Sequence, residues 1–188
     1  MEIEDLNRMN TIKELCLKGK YDDCIKAAND MIDEQPYNFI PILFKGISLL
    51  KQKRYDEAED AFTLGIKLDP TIPRFWAERG NVFLNIKKYN EAFSDYWNYL
   101  QFHPNDGDAL NNCALVLYYM GNDDLTFEYL ERAIKIGDNC ESYCMMIVML
   151  KKIGFIGFIE KYYNEALNKF PEKKNYINEI MSAKLKNI

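Results

Sequence analysis

The chain has 188 residues, with 24 basic and 29 acidic side chains and a formal net charge of −5. That balance argues against nucleic acid as the main partner, because phosphate recognition needs a basic stripe. A hydrophobic content of 48% with six prolines and nine glycines excludes a disordered or low-complexity chain, and at this length a single domain with a sizeable core is the expectation.

The first ten residues carry Glu2, Glu4 and Asp5, where a secretory signal needs a basic start and an apolar run. No apolar stretch approaches the roughly 20 residues of a membrane-spanning helix; the run Cys144–Leu150 stops at Lys151 and Lys152. A soluble, cytoplasmic protein without membrane insertion is expected.

An internal period organises the rest. Pro36, Pro70 and Pro104 recur every 34 residues, and so do Tyr21, Tyr55 and Tyr89. Cys24, Ala58 and Ala92 follow each tyrosine by three, and Gly46 and Gly80 add a fourth column. Such a period marks a repeat architecture. Each column has a physical reason. Proline cannot continue a helix and ends the second helix of each unit. Glycine inside a helix costs about 1 kcal/mol, so it needs a close neighbour to justify it. Alanine supplies a matching small side chain on the second helix, and the tyrosine opens that helix with a large amphipathic ring.

In chain order, the pattern predicts helical hairpins at 5–37, 38–71, 72–104, 105–138 and 139–171. In the second hairpin, Ala58, Ala61, Phe62, Gly65, Ile66 and Leu68 form a small or apolar stripe at helical spacing. Asp56, Glu57, Glu59 and Asp60 lie near that helix start, where acidic groups suit the helix dipole. Ala92, Phe93, Tyr96 and Leu100 repeat the stripe one unit later. The fourth unit has Asp138 in place of proline, and the fifth closes one residue early at Pro171. Over 173–186, Tyr176, Ile177, Ile180, Met181 and Leu185 share one face, as a terminal capping helix requires. From Lys151 onward eight lysines face four glutamates, so the remainder is more acidic than the whole. A solvated helix face is the ordinary reading of such a charge pattern.

The five cysteines, Cys16, Cys24, Cys113, Cys140 and Cys144, are odd in number and scattered through helices, which suits buried free thiols and no disulfide framework. The single histidine, His103, stands before Pro104 without a nucleophile partner. No phosphate loop, nucleophile elbow or metal motif is present. The expectation is no catalysis, no cofactor and no metal.

These residues resemble the tetratricopeptide repeat. Trp76, Gly80, Phe83, Tyr89, Ala92, Tyr96 and Pro104 match its pattern in the third unit, and Gly46, Tyr55, Ala58, Phe62, Gly65 and Pro70 in the second. The resemblance implies an all-α, right-handed superhelical solenoid of about five antiparallel hairpins plus a capping helix, whose first helices line a concave groove. The family's inward-facing positions fall on Leu6, Met9, Lys13 and Cys16 in the first unit and on Ile40, Leu43, Ile47, Leu50 and Lys51 in the second. In the third they are Arg74, Ala77, Glu78, Asn81 and Asn85, and in the fourth Asp108, Asn111, Asn112, Leu115, Tyr118 and Tyr119. An apolar N-terminal end would anchor a partner side chain, and the asparagines would offer donors and acceptors to an extended backbone. Core packing is the competing fate of Leu43 and Ile47.

The implied function is a non-catalytic scaffold that holds a peptide or helix of a partner protein. A bacterial-type secretion or assembly chaperone holding an apolar client segment is the alternative, and a homodimer or a place in a larger complex fits either. One subset of the family clamps the acidic tails of heat-shock chaperones. Asn81 and Asn112 match its asparagines, but Ala77 replaces its first lysine, and Ser142 and Met146 (or Glu141 and Met145 in the shifted register) replace the last basic pair. Without cations the clamp loses its charge-assisted bonds. Calorimetric titration with a chaperone tail peptide should therefore show no binding tighter than about 10 μM, near −7 kcal/mol; a stronger isotherm would contradict the reading.

Overall fold

The computed structural model describes residues 3–137 and 139–183. Among the described residues the chain is all helix and turn, without a strand. Five hairpins follow one another: α1 (Ile3–Leu17) with α2 (Tyr21–Glu34), α3 (Phe39–Lys51) with α4 (Tyr55–Leu68), α5 (Pro73–Asn85) with α6 (Tyr89–Phe102), α7 (Gly107–Tyr119) with α8 (Asp123–Ile136), and α9 (Cys140–Ile153) with α10 (Ile156–Lys169). A short 3-10 turn, Pro171–Lys173, leads into α11 (Lys174–Ser182). The expected capping helix is thus present, while its final residues, Leu185 included, and Asp138 lie outside the described residues. The residues divide into two compact units, Met1–Tyr99 and Leu100–Ile188.

The columns fall where their chemistry requires. Tyr21, Tyr55 and Tyr89 are the first residues of α2, α4 and α6, and Pro36, Pro70 and Pro104 sit in the turns after those helices. Side-chain caps start other helices: Asn38 accepts from the Ile40 amide at 3.1 Å, Asp106 from Ala109 at 2.9 Å and Asn139 from Ser142 at 3.0 Å. Each satisfies an amide that the helix itself leaves open.

The elbow inside every hairpin is closed by the backbone alone. Lys20, Arg54, Lys88, Asn122 and Phe155 each donate an amide to the carbonyl five residues earlier, all at 2.9 Å. This is the six-to-one bond of a Schellman motif, and it needs a left-handed residue just before the donor. Gly19, Gly121 and Gly154 take that conformation with φ of 73°, 76° and 79°. Lys53 and Lys87 occupy the same place at 61° and 62°, where an L side chain crowds its own backbone.

In the first unit the core runs through Ile12, Cys24, Met31, Ile42, Leu49, Phe62, Phe75 and Val82. Its glycines are sites of ring contact. A Cβ built on Gly46 would lie 2.5 Å from the Phe62 ring, and one on Gly80 would lie 2.9 Å from Tyr96. One on Gly65 would overlap the Phe75 ring. The neighbour that makes glycine necessary is therefore an aromatic ring from a partner helix. A buried ion pair crosses the last hairpin of this unit: Arg79 donates to both oxygens of Asp95 at 2.8 and 2.9 Å and to Thr63 Oγ1 at 3.1 Å. Asp95 is only 2% exposed. Burial pushes its carboxyl up from the ordinary range, and Arg79 pulls it back down.

The second unit buries Leu110, Cys113, Leu117 and Leu130 between its first two helices. A further cluster of Cys140, Tyr143, Cys144, Ala166 and Ile177 lies under α11. Lys151 fixes the end of that helix, donating to the carbonyls of Ile180, Met181 and Ala183 at 2.8, 2.6 and 3.1 Å. All five cysteines are buried free thiols. Desolvation pushes Cys113 and Cys144 up to about 12, which keeps them protonated at neutral pH.

Two outcomes follow. Gly65→Ala gains helix propensity of about 1 kcal/mol but must displace a ring with no free space around it, so urea unfolding should show a net loss of roughly 1–3 kcal/mol. Lys87→Gly relieves left-handed strain at a turn that already has its hydrogen bonds, and the same measurement should show a gain of about 0.5–1 kcal/mol.

Candidate functional site

A groove of about 700 Å³ opens on the first unit. Helical spacing builds it. Arg74, Glu78, Asn81 and Asn85 step along one face of α5 at intervals of three and four, and Ile47, Leu50 and Lys51 form the facing stripe of α3. Cys16, Leu17, Tyr21, Lys53 and Tyr55 complete the wall from the end of α1 and the elbows. Of the residues expected from the repeat positions, the structure thus brings together Cys16, Ile47, Leu50, Lys51, Arg74, Glu78, Asn81 and Asn85.

The polar lining is already cross-linked. Arg74 pairs with Glu78 at 3.2 Å, and the Asn81 amide donates to the same carboxylate at 3.2 Å. Tyr96 donates its hydroxyl to Asn81 Oδ1 at 2.8 Å from behind the groove. Asn85 donates to the Asn81 carbonyl at 2.8 Å, and Tyr55 donates to Asn85 Oδ1 at 3.4 Å. Each asparagine keeps one lone pair and one N–H beyond these bonds. They are therefore held in fixed orientations, with half of their capacity left over.

Charge in the groove is uneven. Arg74 and Glu78 offset one another. Lys51 and Lys53 are exposed and have no ion-pair partner among the described residues. The groove is thus locally cationic on a chain whose net charge is −5.

Other expected positions lie elsewhere. Met9 is 4% exposed within the core, and Ile47 at 9% shows the groove only an edge. Ile40 and Leu43 pack against that core, as does Leu50 with its inner side. Leu6 and Lys13 are exposed on α1 away from the groove lining, and Ala77 is half-buried. In the second unit, Asn111, Asn112, Leu115 and Tyr118 are half-buried on α7, and Tyr119 is exposed. Asn111 Oδ1 is enclosed without a hydrogen-bond partner. The Tyr118 ring lies edge-on to Tyr119 and carries the Lys152 ammonium 5.0 Å from its centroid. Asp108 is exposed and accepts from Asn139.

The sequence reading missed the elbow residues Tyr21, Lys53 and Tyr55 as lining. The tyrosine column is visible in the sequence, but only as the amphipathic ring that opens each second helix. Its hydroxyl end is what reaches the groove.

No helix among the described residues is long and apolar enough to cross a membrane. The fold supports a protein–protein interaction scaffold.

A family model described as tetratricopeptide repeat matches residues 43–72. RNA polymerase II-associated protein 3 of Mus musculus is 29% identical over 117 residues, which cover 57% of this chain and 18% of that protein. The chain thus spans less than a fifth of that relative's length. Among solved structures, MamA from Desulfovibrio magneticus RS-1 superposes with a TM-score of 0.82 at 16% identity, covering 92% of this chain and 98% of that one. YrrB, described as a TPR protein with an unusual peptide-binding site, gives 0.68 at 20% identity, covering 78% and 76%. At these identities the structures speak for the fold alone. The matched repeat, the related sequences and the shared fold agree on one architecture: the chain carries a tetratricopeptide repeat at residues 43–72 within a fold of that type.

Proposed function

We propose that the first unit holds an extended segment of a partner protein in the groove between α3 and α5, and that the chain acts as a non-catalytic scaffold. The observation that carries this is the conjunction of an apolar floor, fixed asparagines and two unpaired lysines in one cleft of about 700 Å³. Leu17 and Leu50, with an edge of Ile47, offer an apolar seat. The spare groups of Asn81 and Asn85 suit a backbone amide. Lys51 and Lys53 suit a carboxylate two or three residues along. The occupant is thus a segment that places an apolar side chain close to an acidic one. Pre-set side chains reduce the ordering cost of binding.

The chaperone alternative has less to stand on. It needs a broad apolar groove, and much of that surface is spent on the core: Met9 and Ile47 are buried, and Ile40 and Leu43 are packed. A Leu43→Glu/Ile47→Glu pair would therefore test folding rather than binding.

Exposed positions make the cleaner test. A random 12-residue peptide library selected on the immobilised chain should enrich apolar–acidic pairs. Lys51→Glu/Lys53→Glu should weaken the selected peptides at least tenfold by fluorescence anisotropy, with unchanged helicity. Peptides that bind wild type and variant alike would remove the groove from consideration.

A further inference from the structure

The elbow between α9 and α10 differs from its four counterparts in chemistry. At the equivalent positions the earlier elbows present Lys18, Lys20, Tyr21 and Asp23, then Gln52, Arg54, Tyr55 and Glu57, then Ile86, Lys88, Tyr89 and Glu91, then Met120, Asn122, Asp123 and Leu125, so each carries at least one charge and the fifth carries none. The fifth presents Ile153, Phe155, Ile156 and Phe158, exposed by 40%, 57%, 76% and 55%. Phe155 and Phe158 stack at 6.3 Å between centroids, with 28° between their planes. A large side chain exposes about 200 Å² when free, so these four leave on the order of 400 Å² of apolar surface within six residues. That is about the size of the largest apolar patch on a typical monomer, which is often a functional surface.

Beside this raised plate lies a hollow of about 530 Å³ lined by Ile156, Ile159, Tyr163 and Met181, with Lys151, Glu160 and Asn164 around it. Ile156 belongs to both the plate and the hollow. Opposite charges border the pair. Glu160 and Lys161 are exposed, and neither has an ion-pair partner among the described residues. Lys161 lies three residues beyond Phe158, and Glu160 four beyond Ile156, so helical spacing sets each charge beside an apolar tip.

A projecting plate, an adjoining hollow and adjacent charges of opposite sign are the requirements of a surface that fits itself across a two-fold axis. We propose that the α9–α10 elbow is the contact of a homodimer. Phe155 and Phe158 of one copy enter the hollow of the other, and Glu160 of each meets Lys161 of its mate. The plate alone supplies about half of the roughly 800 Å² per partner that a stable dimer buries, and the hollow and the charged rim adjoin it. The interface uses none of the groove residues of the first unit, so the two sites can be tested apart.

Sedimentation equilibrium of the full chain between about 1 and 200 μM should show a monomer–dimer equilibrium. Phe155→Ser/Ile156→Ser, two exposed positions, should weaken dimerisation at least 100-fold with an unchanged helical signal. Glu160→Lys and Lys161→Glu should each weaken it at least tenfold, and the two together should restore it, which a merely structural role would not produce. A wild-type chain that stays monomeric throughout the range overturns the proposal, as does a dimer indifferent to the apolar pair. A monomer that floats with phosphatidylserine-containing vesicles overturns it too and assigns the elbow to a lipid surface.

Discussion

The second and third hairpins of the first unit depend on a ring laid against a glycine. Phe62 on Gly46 and Tyr96 on Gly80 repeat one contact at an interval of 34 residues, and Phe75 on Gly65 makes the corresponding contact between hairpins. The rings are fully buried or nearly so. Dispersion falls off within an ångström of the optimum, so the helices must approach to this distance or lose the contact. That single spacing sets the helix separation, and the separation in turn sets the width of the groove. Tyr96 shows the link directly, since the ring that packs on Gly80 also sends its hydroxyl to Asn81 in the groove wall.

Much of this was legible in the sequence because it is periodic. The tyrosine column marked the first residues of α2, α4 and α6, and the proline column the turns after them. They did so because each residue type has one physical use at its position. The groove was legible on α5, where Arg74, Glu78, Asn81 and Asn85 share the face that lines it. On α1 and α3 it was harder to read. Met9 and Ile47 stand at inward-facing positions of the pattern, yet a flexible or branched apolar side chain turns into whatever core lies beside it. A pattern of positions carries Cα direction, not the final course of a long side chain. Lys53 was invisible for another reason: in a repeat pattern its position is a turn, and turns carry no periodic signal.

The groove's stiffness has an origin in its own hydrogen bonds. Arg74, Glu78, Asn81, Tyr96, Asn85 and Tyr55 form one connected set, in which Asn81 touches three others and Glu78 and Asn85 two each. Such a set can be disturbed from any point, and its bonds reinforce one another. It lowers the entropy lost on binding while leaving the two lysines at its edge free to choose the partner's charge.

The elbows illustrate a separation between what folds the chain and what distinguishes it. Their closing bonds run from amide to carbonyl, at the same 2.9 Å in all five hairpins. No side chain takes part. Folding therefore places almost no demand on the residues there beyond the handedness of one of them. Lysine, arginine, asparagine, isoleucine and phenylalanine all appear at these corners without altering the turn. The corners are thus a margin on which recognition can be rewritten, from cationic in the first unit to apolar at 153–158, while the hairpins beneath are left as they were.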